Sequence, residues 1–163
     1  MVRSGLALYG YALPIECEPG YLGPAACAVR AQLQPVLTWK ARVIGIREIA
    51  PGTRVGYGGT YAATHPMRLA LLPVGYADGL RRDLSSSNEG AGWVMLCGQK
   101  APVVGRISMN LTVVDITALP NVQVGDEAIV LGEGVTAEDH ARLAHTIPYE
   151  ILCAMKARPQ LVP

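Results

Sequence analysis

Gly92-Trp-Val-Met-Leu-Cys97, Ala101-Pro-Val-Val-Gly-Arg-Ile107 and Leu111-Thr-Val-Val-Asp-Ile116 follow one another in the middle of the chain. Each is a short, largely apolar run, the last two rich in β-branched residues, and turn-forming residues separate them, which is the signature of strands joined by tight connections. The same reading extends outward to Val36–Ile46, Arg68–Tyr76 and Glu127–Leu131, with turn signals at Ala50-Pro-Gly52 and Pro120-Asn121. Phe is absent, while 18 Gly and 12 Pro punctuate the sequence. Short strands at this spacing predict a mainly β domain, a small barrel or sandwich.

One segment breaks the pattern. Thr136-Ala-Glu-Asp139 has the form of a capping box and predicts a helix start. In the helix that follows, Leu143 and Ile147 are four apart and share a face. A second short helix or strand is expected over Tyr149–Met155. Residues 10–35 hold four of the twelve prolines and little periodicity, and read as a connection. Before it, Met1–Tyr9 reads as a brief apolar strand carrying Arg3, the tail of a domain that lies upstream. With no sheet to join, that strand is expected to be disordered or borrowed as an edge by another copy.

Composition removes several classes of function. The 163 residues suit one domain, or one domain and a fragment of another. Half are hydrophobic and 17% charged, which excludes a disordered chain. Lys+Arg 14 against Asp+Glu 13 leaves +1 with no basic block, which argues against a nucleic-acid binder. No apolar stretch approaches the roughly 18–20 residues of a membrane span. The opening, with Arg3, Glu16 and Glu18, is not a signal peptide, so a cytoplasmic protein is expected. Cys17, Cys27, Cys97 and Cys153 form no CxxC pair, and His65, His140 and His145 give no ligand spacing with them. No metal site is expected.

The chemistry-bearing residues are tyrosines set among glycines. Val55-Gly-Tyr-Gly-Gly-Thr-Tyr61 places Tyr57 where the backbone can take positive φ or approach a ligand closely. Val74-Gly-Tyr-Ala-Asp-Gly79 treats Tyr76 likewise, and Tyr149 follows Pro148. A tyrosine hydroxyl, with a reference pKa of about 10, becomes a useful base only beside a cation or with its proton relayed away. Arg54, Arg81, Arg82 and Arg106 are near these loops in sequence, and spacing alone does not say which faces Tyr57. Gly105-Arg-Ile-Ser-Met-Asn110 reads as a strand ending in a turn. No phosphate loop, nucleophile elbow or paired-carboxylate arrangement is present.

These motifs, with Gly98-Gln-Lys-Ala-Pro102 and Thr146-Ile-Pro-Tyr-Glu150, occur in an order that resembles the C-terminal domain of alanine racemases. Met1-Val-Arg-Ser-Gly-Leu-Ala-Leu-Tyr-Gly10 is similar to the last barrel strand of that family's N-terminal domain. The resemblance implies a remnant of a (β/α)8 barrel strand over 1–9, a connection over 10–35 and the β-domain over 36–163, closed by one or two short helices. It implies an L-alanine to D-alanine racemase that uses pyridoxal 5′-phosphate. Its head-to-tail homodimer joins the barrel of one subunit to the β-domain of the other.

By the same resemblance, Tyr57 is the catalytic tyrosine, moving the α-proton on one face of the substrate. Tyr76 lines the way in, and the Met109 backbone meets the substrate carboxylate. Tyr149 reaches the cofactor phosphate, Gly5 and Leu6 hold it through backbone N–H groups, and Arg3 faces the pyridine nitrogen. An arginine there, in place of a carboxylate, disfavours ring protonation and with it transamination. The family's cofactor-holding lysine, barrel histidine and carboxylate-binding arginine have no match, since Lys40, Lys100 and Lys156 lie in other contexts. The chain alone is therefore expected to be inactive, with an apolar face toward the missing barrel that favours self-association. Asn110 stands where the family has Asp, which opens serine or a broader substrate range, and Ser4 replaces the commoner Pro beside Arg3. The other reading is a non-catalytic β-domain for dimerisation or binding.

Overall fold

The computed structural model describes residues 1, 4–12, 28, 32–86 and 91–156, and divides into two units, residues 1–38 and 39–163. In the first unit the described residues of the segment 1–9 do not form the expected strand. Gly5–Tyr9 is a 3-10 turn, opened by Gly5 at φ +49° and closed by Gly10 at φ +78°. The physical reason is local. An isolated strand leaves its N–H groups without acceptors, whereas the turn satisfies them within the segment, Ala7 N–H donating to Ser4 O (3.2 Å) and Gly10 N–H to Ala7 O (3.1 Å). A Cβ on Gly10 would fall 1.7 Å from the Gln34 carbonyl oxygen, so residue 10 must be glycine where the two segments cross. Arg3, Cys17 and Cys27 lie outside the described residues.

The second unit is an antiparallel β-barrel. The predicted strand Val36–Ile46 is displaced: strand pairing starts at Trp39 and continues to Ile49 with an interruption. β1 (Trp39–Arg42) pairs with β9 (Glu127–Leu131), and β2 (Gly45–Ile49) pairs with β5 (Met67–Leu72). Between them Val43 N–H still donates to Asp126 O, while Ile44 N–H donates to Leu71 O, both at 2.9 Å. One run of chain thus changes partner at a corner. β5 pairs on its other side with β8 (Thr112–Asp115), and β9 with β6 (Trp93–Leu96).

β6 and β7 (Gln99–Pro102) form a hairpin whose two turn residues, Cys97 and Gly98, have φ +50° and +73°, the primed geometry that matches strand twist. Past β7, Val103 bridges Val114 and Val104 N–H donates to Val113 O at 2.8 Å, joining β7 to β8. The ladder β1–β9–β6–β7–β8–β5–β2 returns to its own start. Two predicted strands are shorter than expected. β5 stops at Leu72 because Pro73 has no N–H to donate, and the run from Ala101 leaves its ladder at Gly105, which has φ +70°.

The interior is filled by Val43, Leu72, Val94, Leu96, Val114, Ile116, Val130 and Leu131, all essentially inaccessible. Strand alternation produces this, as on β6, where Val94 and Leu96 point in while Trp93 and Met95 are half-buried. The one buried hydroxyl of the strands, Thr112, donates to Val74 O at 2.6 Å.

Two helices follow. α1 (Ala137–Leu143) starts at the predicted capping box: Asp139 N–H donates to Thr136 Oγ1 (3.2 Å), and Asp139 Oδ2 accepts from Thr136 N–H (3.0 Å). Leu143 and Ile147 do not share its face, because His145 takes φ +50° and turns the chain. Ile147 instead precedes α2 (Pro148–Ala154), with Pro148 at the first helical position where its missing N–H costs nothing.

Candidate functional site

The site is organised by the segment Gly105–Leu111, which leaves the barrel after the Val103 bridge. β3 (Arg54–Val55) and β4 (Tyr61–Ala62), two strands too short to read from sequence, pair Val55 with Tyr61 and make a small hairpin with Tyr57 on its tip. Val55, Ala63, Met67, Leu69 and Val104 pack beneath it. Gly56 and Gly105 pass in contact: a Cβ on Gly56 would lie 2.7 Å from Arg106 N, and one on Gly105 would lie 2.8 Å from Val55 O. The predicted need for glycine in this loop therefore has a specific cause, two backbones in touch.

Two arginines reach the Tyr57 loop. Arg106 Nη1 lies 3.5 Å from where a Cβ of Gly58 would stand. Arg54 braces the loop from the other side, its Nη1 donating to Gly59 O at 2.9 Å. Two residues that the sequence reading missed hold the Arg106 segment. Ser86 Oγ accepts from Gly105 N–H (2.9 Å) and Ser85 Oγ from Ile107 N–H (3.0 Å). Nothing in a serine-rich loop signals this, because the hydroxyls substitute for a strand partner far away in sequence.

Tyr76 docks on the same segment. Tyr76 N–H donates to Ser108 O (3.1 Å) and Ala77 N–H to Met109 O (2.9 Å). Gly75 is held by proximity and not by φ, since a Cβ would sit 2.2 Å from Ser108 O. Asp78 Oδ2 accepts from Gly75 N–H at 2.9 Å and closes the turn. Tyr149, in the first turn of α2, is joined to the Tyr76 turn through its helix. Lys156 N–H donates to Asp78 O (3.0 Å), and Arg81 Nη1 donates to Glu150 Oε2 (2.9 Å). The Thr146 hydroxyl, and then Arg81, hold the Glu150 carboxyl below its ordinary range.

Tyr57, Tyr76 and Met109 are therefore brought to one segment, and Tyr149 is tied to it through the Tyr76 turn. All four are exposed, at 76, 43, 56 and 38%, and Leu111 and Ile147 beside them are exposed as well. Gly5 and Leu6 open the 3-10 turn of the other unit, and Arg3 lies outside the described residues. Asn110 is exposed next to Met109. Chemically, the arrangement presents a hydroxyl on a short rigid tip, a guanidinium beside that tip and a backbone turn that can receive a small ligand. Among the described residues no group of side chains is placed to hold a metal, and no helix is long and apolar enough to cross a membrane.

A closed antiparallel barrel with tyrosines exposed on glycine-bound loops along one backbone segment defines a small β-domain with a tyrosine-bearing surface. The alanine racemase C-terminal domain family matches residues 36–162, and the chain belongs to that family. It is 41% identical to the alanine racemase of Halothermothrix orenii, over 97% of this chain and 39% of that protein. Among solved structures, the biosynthetic alanine racemase of Pseudomonas aeruginosa superposes with a TM-score of 0.78 at 33% identity, over 94% of this chain and 39% of that one. The Bartonella henselae alanine racemase with covalently bound pyridoxal phosphate superposes at 0.74 and 35% identity, over 93% of this chain and 38% of that one. The chain spans about two-fifths of the length of the curated relatives that it matches.

Proposed function

We propose that these residues form the tyrosine-bearing portion of a pyridoxal-phosphate-dependent alanine racemase, which interconverts L- and D-alanine. The remainder of the site is supplied by a barrel domain, and two copies of the enzyme associate head to tail in the cytoplasm. The observation that carries this reading is Tyr57, held on a glycine hairpin beside Arg106 and on the same segment as Tyr76 and Met109. In it, Tyr57 moves a proton at Cα on one face of the substrate. Arg106 supplies positive charge beside that loop, the Met109 backbone receives the substrate carboxylate, and Tyr76 and Tyr149 narrow the way in.

The donor types fit pyridoxal phosphate. Gly5 and Leu6 open a 3-10 turn, and in this reading their backbone receives the cofactor phosphate. The family resemblance would assign a hydroxyl contact to Tyr149 and the pyridine nitrogen to Arg3. When bound, the cofactor acidifies the Cα–H by drawing its electrons into the ring. The amine that holds it comes from the barrel, since Lys40 pairs with Glu127 and Lys100 lies over the Trp93 ring at 4.0 Å.

The test is D-alanine formation from L-alanine with added pyridoxal phosphate, by this chain alone and mixed with a separately expressed barrel portion. Activity only in the mixture, lost in Tyr57→Phe, is expected. Unchanged activity in Tyr57→Phe would refute the assignment. Activity of the chain alone would overturn the division of labour, and silence in both would favour a non-catalytic domain.

A further inference from the structure

α2 is strapped to the segment 76–83 at both ends, by different means. At its C-terminal end the strap is backbone: Lys156 N–H bonds to Asp78 O, and Gly79 passes so close to Ala154 O that a Cβ would lie 2.2 Å from it. At its N-terminal end the strap is made of side chains. Ile147 supplies no side-chain cap, and the first turn is secured instead through Glu150, whose Oε2 accepts from both Thr146 Oγ1 and Arg81 Nη1. Arg81 is itself fixed, with Nε and Nη2 donating to Asp83 Oδ2 at 3.2 and 2.7 Å. A planar guanidinium spans two acids in this way, and an ammonium cannot reproduce it.

We infer that Arg81 is a positioning residue, which sets where Tyr149 stands by gripping the adjacent Glu150. The inference rests on the reading of Tyr149 as lining the racemase site. Without the grip the first turn keeps the burial of Pro148 and Ile151 but loses its tie to segment 76–83, and α2 pivots about its backbone strap. Seven residues at about 1.5 Å each make a lever of roughly 10 Å, so displacement is largest in the first turn, where Tyr149 lies. The exposed pairs themselves add little to stability, which separates position from folding.

The experiment uses the full chain with 3-fluorotyrosine at position 149, read by fluorine NMR, and the same variants mixed with the barrel portion. Arg81→Gln is expected to shift or broaden the Tyr149 line, to raise the KM for alanine about tenfold with kcat within about twofold, and to leave the thermal midpoint unchanged. Glu150→Gln is expected to do the same, and the double variant to do no more than either alone. An Arg81→Gln line and KM equal to wild type would overturn the inference, as would additive effects of the two substitutions or a rise in KM matched by a loss of thermal stability. A shifted line in a chain that gives no racemase activity with the barrel would leave the grip standing and sink the racemase reading instead.

Discussion

Acid should loosen this domain from about pH 6.5 downward, and His140 is the reason. The ring lies in α1 at 2% exposure, and its Nε2 has no hydrogen-bond partner among the described residues. Burial pushes its pKa down from 6.5 to about 4, against a smaller opposing pull from the Asp139 carboxylate. The folded value is below the unfolded one, so the unfolded chain binds the extra proton between about pH 6.5 and 4. The neutral ring's contribution is complete above the unfolded value and is lost as pH falls through that window. About 2.5 units at about 1.4 kcal/mol each give a loss of roughly 3–4 kcal/mol in all, a large share of the 5–15 kcal/mol typical of a whole domain. Urea unfolding midpoints at pH 7, 6, 5 and 4.5 measure it. His140→Gln, which cannot take up the proton, should flatten the slope to less than about 1 kcal/mol across the same range. An identical slope in wild type and His140→Gln would show that the buried ring is not the acid-sensitive element. The Asp139 contribution falls lower. Burial raises its pKa, but bonds from the Thr136 N–H and hydroxyl and from Arg142 outweigh that and hold it down. Its share of stability is therefore lost only as pH falls below about the ordinary Asp value near 4.

Other expectations follow from single contacts. Gly75→Ala places a Cβ 2.2 Å from Ser108 O and should cost about 2–3 kcal/mol in chemical denaturation; a cost below about 0.5 kcal/mol would mean that the Tyr76 turn is not seated as described. Thr136→Ala removes the acceptor of Asp139 N–H at the start of α1 and should cost about 1 kcal/mol, read as a lowered thermal midpoint, with Thr136→Ser close to wild type. Tyr57→Phe, on an exposed tip, should leave the melting temperature within about 1 °C, because surface changes away from packed contacts stay near zero. It should lower racemisation in the reconstituted enzyme by about 100-fold or more. Asn110→Asp should move the alanine-to-serine preference in a direct competition assay, and an unchanged ratio would remove position 110 from the determinants of substrate choice.

The longer strands between residues 39 and 131 were readable because alternation and Gly or Pro breaks coincide with them, and the Thr136 cap was readable because its chemistry is local. Other features were not local. The corner at Val43-Ile44 has no breaking residue, since both stay in extended chain and only their partners change. β3 and β4 exist through the pairing of Val55 with Tyr61 and leave no periodic trace. His145 takes positive φ with no glycine to announce it, so the helix seemed to run on to Ile147. Met1–Tyr9 alternates well enough for a strand, but a strand is defined by neighbours, and Gly5 and Gly10 favoured a local turn. The tyrosine loops were legible through their glycines. That Arg106 joins Arg54 at the Tyr57 loop was not, because Gly58 and Arg106 are brought together by the crossing of two loops.

The closed ladder also constrains the order in which this chain can be completed. β1 has β9 as its sheet partner, and the Lys40–Glu127 pair that spans them joins residues 87 apart. On a ribosome the first strand of the barrel must wait, unpaired, until the last has emerged. Long-range pairings of this kind are slow to form and leave an adhesive edge in the meantime. Lys40 and Arg42 lie on that waiting strand, and their charges discourage a neighbouring chain from pairing with it before Glu127 arrives.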